Sequence, residues 1–207
     1  MNSSLQPISY KDPSGYVMKE EEGYYRYVSH EYALEFEHLM SSGLYKVLTN
    51  EYLLIPHQEI EDKESGKNFY KVLYPQQIKL ITYPYEWVYS QWQEMALVFL
   101  QINQIALQHG MILKDASPYN FVFVEGKCIL LDSLSFRFFK DGDSWIAYRQ
   151  FCEEILSPLA LMRYNDPYWG RLQQASLTGL QLPFVSKQLP LKTWFNTVCL
   201  LHIHLHA

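Results

Sequence analysis

Glycine is scarce here, nine residues in 207, and no G-x-G-x-x-G pattern forms among Gly15, Gly23, Gly43 and Gly66. A glycine-rich loop that cradles phosphates is therefore excluded. Cysteine is scarcer still. Cys128, Cys152 and Cys199 show no paired spacing, so buried free thiols in a reducing compartment are expected. Positive charge is in deficit: 17 Lys and Arg against 22 Asp and Glu give −5 at pH 7, which argues against a nucleic-acid surface. No apolar run reaches membrane-spanning length, and the first residues, MNSSLQPISYKDPSGY, lack the apolar segment of a signal peptide. A cytoplasmic protein with no membrane partner is the expectation. Ser117 has no His and Asp at triad spacing, and Cys152 has no activating motif, so nucleophilic catalysis finds little support.

What the chain has is apolar bulk. Hydrophobic residues make up 48%, and Tyr 17, Phe 11 and Trp 5 promise a core whose polar ring tips reach its edge. Residues 1–22 read as a mobile start or an outer hairpin, and Tyr24–Val28 as a short strand. Ser29 is placed to cap a helix from His30 to about Ser42, closed by Gly43. Leu44–Ile60 reads as a further helical turn and then a strand. Phe69–Tyr74 and Ile78–Thr82 read as paired strands. Pro84 breaks the pattern inside Tyr83–Trp87, a hinge-like aromatic segment in which Glu86 either lines a cleft or closes a turn. Gln91–Gln108 is the clearest helix, with Trp92, Met95, Phe99, Ile102 and Ala106 on one stripe. A further helix from about Trp145 ends at Pro158. Leu172–Leu180 is read as helical and Leu182–Pro190 as a loop. His202, His204 and His206 alternate, as on one face of a strand, where they would either bind Zn²⁺ or pack as neutral rings.

The chemistry concentrates between His109 and Phe136. Ile112 and Leu113 lead into a polar loop, Lys114-Asp115-Ala116-Ser117-Pro118-Tyr119-Asn120. Phe121–Val124 is an apolar strand, Glu125-Gly126-Lys127 a tight turn, and Cys128–Leu131 the return strand that delivers Asp132. Asp115 and Asn120 fit D-x-x-x-x-N, the catalytic-loop pattern of protein kinases, and Asp132 stands one hairpin later, where their metal-binding Asp stands. The stretch resembles the protein-kinase-like fold, aminoglycoside-type phosphotransferases included. The resemblance implies Asp115 as catalytic base, Asn120 and Asp132 as Mg²⁺ ligands, and Lys114, Asn120 and Asp132 as nucleotide contacts. The sequence departs from the motif at three places: Leu113 replaces its His, Lys114 its Arg, and Asp132-Ser133-Leu134 lacks its Gly. Arg26 with Glu31 or Glu35 is the nearest analogue of the strand-lysine and helix-glutamate pair.

A second resemblance spans about Gly43 to the end. Tyr83-Pro84-Tyr85-Glu86-Trp87, Leu113-Lys114-Asp115-Ala116-Ser117, Tyr119-Asn120, Ala147-Tyr148-Arg149-Gln150-Phe151-Cys152 and His202-Ile203-His204-Leu205-His206 resemble a bacterial family described as SAM-dependent methyltransferases, some of them nodulation-protein-like. The resemblance implies that a methyltransferase domain follows this region. No glycine-rich SAM turn follows any strand here, so SAM enters only through a domain absent from this chain.

Together these readings predict an α+β, kinase-like, two-lobed fold: a small mixed lobe over 1–83 and a mostly helical lobe over 84–207 carrying the hairpin. They predict a module that binds Mg²⁺-nucleotide, as a weak phosphotransferase or a pseudokinase. The alternative is a non-catalytic interaction or regulatory domain of a truncated or split methyltransferase, docking a methyltransferase domain or protein and binding no nucleotide.

Overall fold

The computed structural model describes residues 4–5, 12–61, 68–176 and 178–207. It is a mixed α/β chain in which a five-stranded antiparallel sheet precedes a mostly helical region carrying two small two-stranded sheets. In the first sheet β1 (Ser4–Leu5), β2 (Gly15–Glu20), β3 (Gly23–Val28), β4 (His57–Ile60) and β5 (Lys71–Pro75) lie in the order β1-β2-β3-β5-β4. Gly15 permits the start of β2. A Cβ there would stand 2.1 Å from the Tyr27 carbonyl oxygen on the partner strand. Tyr24–Val28 is thus a strand as expected, and the outer-hairpin reading of the preceding residues holds for Gly15 onward.

Helix α1 (Ala33–Ser41) follows a 3₁₀ turn, His30–Tyr32, and buries Phe36 and Leu39. Ser29 does not cap it. Its hydroxyl donates to the Pro13 carbonyl at 2.6 Å, tying the helix entry to the residues that lead into β2. Gly43, at φ 86°, lets the chain turn into α2 (Leu44–Asn50), which buries Leu44 and Leu48. Phe36, Tyr32, Val28 and Leu73 close one face of the sheet together with Leu134, so the polar turn after the hairpin is anchored against the sheet.

The central helix α3 (Tyr89–Gln108) buries Trp92, Met95, Phe99, Ile102 and Ala106, spaced to form one stripe along its length. Against it pack β6 (Met111–Leu113), the hairpin β7 (Phe121–Val124) and β8 (Lys127–Leu130), and β9 (Phe136–Phe138), which pairs with β6. The hairpin turns on two residues with positive φ, Glu125 at 50° and Gly126 at 80°, the geometry that follows strand twist in tight hairpins. Leu54 bridges Leu130 in parallel fashion, and Ile55 N–H donates to the Leu130 carbonyl at 2.9 Å. The hairpin is thereby locked to the segment that feeds β4.

Four expectations are corrected. Ile78–Thr82 forms no strand. Both edges of β5 are already taken by β3 and β4, and Leu80 and Ile81 stay exposed. Pro158 does not end its helix. The chain runs from α4 (Tyr148–Gln150) through a π-helical turn, Phe151–Leu156, into α5 (Ser157–Tyr164), with Pro158 in the first turn of α5, where its missing N–H is tolerated. Leu182–Pro190 is not a loop but α6 (Leu182–Gln188), with Pro183 again in a first turn and Leu182 and Val185 buried. Of Leu172–Leu180, residue 177 lies outside the described residues; the part before it holds the end of a 3₁₀ helix, Pro167–Gln174, and then a turn at Ala175.

The histidines sit on no strand either. They close α7 (Thr197–His202) and the 3₁₀ turn His204–His206. His204 is buried between the Ser186 and Thr193 hydroxyls, 2.9 Å from each, and stacks on Trp194 with ring centroids 4.3 Å apart. His202 and His206 both approach the Tyr148 hydroxyl, at 2.7 and 3.4 Å. Among the described residues no group of three or more His, Cys, Asp or Glu side chains is arranged to hold a metal. The three cysteines are free and buried. No helix among those residues is long and apolar enough to cross a membrane.

Candidate functional site

The loop after β6 carries Asp115 into a set of hydrogen bonds that uses both of its carboxylate oxygens. Oδ1 accepts from the Ser117 backbone N–H at 2.9 Å and from Gln150 Nε2 at 2.7 Å, while Oδ2 accepts from Asn120 Nδ2 at 2.8 Å. The Ser117 contact is a local turn of the kind aspartates favour, and it hands the chain to the 3₁₀ turn Pro118–Asn120 that starts β7. Asp115 and Asn120, five positions apart, are therefore brought together.

Behind Asp115 lies a residue pair that sequence reasoning missed. Gln150 donates from the same amide to Glu154 Oε1 at 3.0 Å, and its own oxygen accepts from Ala116 N–H at 3.0 Å. Glu154 is 5% exposed, and its Oε2 is buried with no hydrogen-bond partner among the described residues. Burial pushes its carboxyl up to about 7, against bonds from Gln150 and Ser117 that lower it, and nearby Asp115 and Glu153 add to the rise. A signal for it did exist: Glu154 is a charged residue on the face shared by Phe151, Cys152 and Ile155.

Asp132 leaves β8 at the same end of the hairpin as Asn120, whose carbonyl accepts from Leu131 N–H at 2.7 Å. Its Oδ1 accepts from Leu134 N–H at 2.7 Å and forms an ion pair with the Arg26 guanidinium of β3, each side chain 14% exposed. Arg26 thus pairs with Asp132, not with Glu31 or Glu35. The reason is topological: β3 lies central in the sheet and projects Arg26 toward the hairpin end. Lys114 takes other partners. It lies 3.2 Å from Asp12, bonds to the Ser14 hydroxyl, and stands over the Tyr32 ring at 5.0 Å. It lines a separate hollow with Ser14, Glu31, Tyr32 and Glu35.

A cleft of about 230 Å³ opens between the sheet and the hairpin end. Val17, Leu73, Ile55 and Leu131 give it apolar walls, Pro75 to Ile78 close one rim, and Arg26, His57 and Ser133 supply the polar groups. Burial lowers the His57 imidazole to about 4, so it is neutral at physiological pH. His57 Nε2 and Arg26 Nε are buried without hydrogen-bond partners among the described residues. Small-molecule clefts usually offer ~300 Å³ or more, so this one is at the small end of that class. Glu86 does not line it. Its carboxylate accepts from Tyr83 N–H at 2.7 Å and closes a turn.

A divalent cation fits this arrangement poorly. Asn120 Oδ1 and Asp132 Oδ2 remain as donors, but a guanidinium already neutralises Asp132 and would stand beside any cation bound there. The residues present hold a carboxylate–arginine pair where the sequence pattern implies Mg²⁺.

The chain is 30% identical over 202 residues to nodulation protein NoeA of Rhizobium meliloti (strain 1021). The match takes in 96% of this chain and 42% of that protein, so the chain spans less than half the length of the curated relative it matches. No family model matches.

Proposed function

We propose, from this distant kinship and from the cleft, that the chain is a kinase-like module of a SAM-dependent methyltransferase-type protein, and that it binds a nucleotide with phosphoryl transfer weak or lost. The observation that carries the reading is the cleft itself. It lies between an antiparallel sheet and the end of the hairpin that separates Asn120 from Asp132, with Asp115 bonded to Asn120. A base would enter between Val17, Leu73 and Leu131, and the phosphates would lie toward Arg26 and Asp132. Weak or lost transfer follows from what surrounds Asp115. Three donors already satisfy its carboxylate, there is no glycine-rich clamp, and Lys114 is engaged with Asp12 and Ser14. Phosphoryl transfer depends on positioned positive charge, and here one arginine is already paired.

A thermal-shift screen with ATP, GTP, Mg²⁺ and SAM tests this. A ligand that binds only the folded chain raises its apparent stability. ATP or GTP should raise the melting temperature, and SAM alone should not. A rise with SAM and none with either nucleotide would reverse the assignment.

One observation favours a second reading, a non-catalytic docking domain for a methyltransferase domain or protein. Leu191, Trp194, Phe195, Val198, Leu201 and Leu205 are exposed along one stretch, with Phe195 at 92%. Contiguous exposed apolar residues mark interaction surfaces. Co-elution with a separately supplied methyltransferase domain, abolished by Phe195→Asp, would support it.

A further inference from the structure

The Arg26–Asp132 pair bears on how the cleft holds an anion. Arg26 cannot shed its charge, and its fork of N–H groups matches phosphate and carboxylate oxygens. One terminal nitrogen is on Asp132, yet Nε finds no acceptor among the described residues. An incompletely satisfied guanidinium at the edge of an apolar slot is an anion receptor with a resident counter-ion. His57, close enough to feel the Arg26 charge, stays neutral and does not compete for it. Lys114, the cation from the catalytic-type loop, lines another hollow. Asp132, the carboxylate paired with Arg26, is the group a divalent cation would need. A cation there would have to displace the guanidinium or share the carboxylate with it against like-charge repulsion.

We infer that the cleft binds the anionic part of its ligand directly on Arg26, without a divalent cation, and that Asp132 parks the guanidinium when the cleft is empty. The inference rests on the nucleotide reading above and narrows it to metal-free binding. It bears on one departure from the kinase motif, the Asp132-Ser133-Leu134 turn, which here holds an arginine where the pattern implies a metal. The Leu134 N–H bond fixes the Asp132 carboxylate toward β3, so the pair is built in and not a surface accident.

The test is calorimetric titration of the full chain with ATP, once in EDTA and once with excess Mg²⁺. Affinities within about threefold of each other are expected. Arg26→Gln should weaken ATP at least tenfold in EDTA. Asp132→Asn, which frees the guanidinium and removes a repelling charge, should tighten it severalfold. Arg26→Lys, which keeps the charge and loses the fork, should fall between parent and Arg26→Gln, and circular dichroism checks that each variant is folded. ATP binding seen only with Mg²⁺ and lost in Asp132→Asn would overturn this inference and leave the nucleotide reading standing. Absence of binding by both ATP and GTP, with and without Mg²⁺, would overturn both.

Discussion

Replacing Glu154 with glutamine isolates the electrostatic cost of one buried carboxylate. The fold raises this carboxyl from 4.5 to about 7, chiefly by burial. A tenfold change in proton affinity corresponds to about 1.4 kcal/mol, so the charged form is disfavoured in the fold by about 3 kcal/mol. The sign follows from the direction of that rise. A carboxyl that holds its proton more tightly when folded favours folding fully below about pH 4.5, and that contribution is lost as the pH climbs through about 7. Glutamine keeps the shape and still accepts from Gln150, but it has no proton to lose. Urea denaturation at about pH 5 and about pH 8 reads the difference. The advantage of Glu154→Gln over the parent should grow by roughly 2–3 kcal/mol between those two values. If the gap between variant and parent is the same at both, Glu154 is solvated in solution and its link to Asp115 through Gln150 is not a buried one.

Two further outcomes follow from burial. Ile203 is fully buried against Cys199, Val185 and Leu189, so Ile203→Ala should cost roughly 2–5 kcal/mol in thermal or urea unfolding. Phe195→Ser, at an exposed position, should stay within about 0.5 kcal/mol, and the opposite ranking would mean that the C-terminal turn packs differently. Burial also pushes the Cys128, Cys152 and Cys199 thiols up. A thiol reagent should therefore label none of them rapidly in the folded protein and all three in urea, and fast labelling of the native chain would contradict this.

What could be read in advance was whatever local pattern alone decides. The α3 stripe repeats at helical spacing over twenty residues, and the β7–β8 turn carries a glycine between two apolar runs. Neither depends on distant partners. The errors came where tertiary context outweighs local signals. Pro158 and Pro183 look like breakers, but each falls in a first turn, where proline fits. The alternating histidines imitate a strand, but the buried stacking of His204 on Trp194 holds them in helical turns. At the candidate site, the D-x-x-x-x-N spacing anticipated the contact between Asp115 and Asn120. Nothing local could show that Arg26, more than a hundred positions away, would meet Asp132. That pair exists because β3 is central in a sheet whose order is set by long-range pairing. Gln150 was hidden for the same reason, since only the fold brings its amide to Asp115.

The proposed place for a nucleotide is the cleft between sheet and hairpin. Methyl resonances measure this directly. Val17, Ile55, Leu73 and Leu131 line the cleft, while Val185 and Ile203 belong to the packing around α6 and α7. Titration with ATP should move the methyl signals of the first four residues along one saturable curve and leave those of Val185 and Ile203 in place. Saturable changes confined to the second group, or none in either, would contradict the assignment of the cleft.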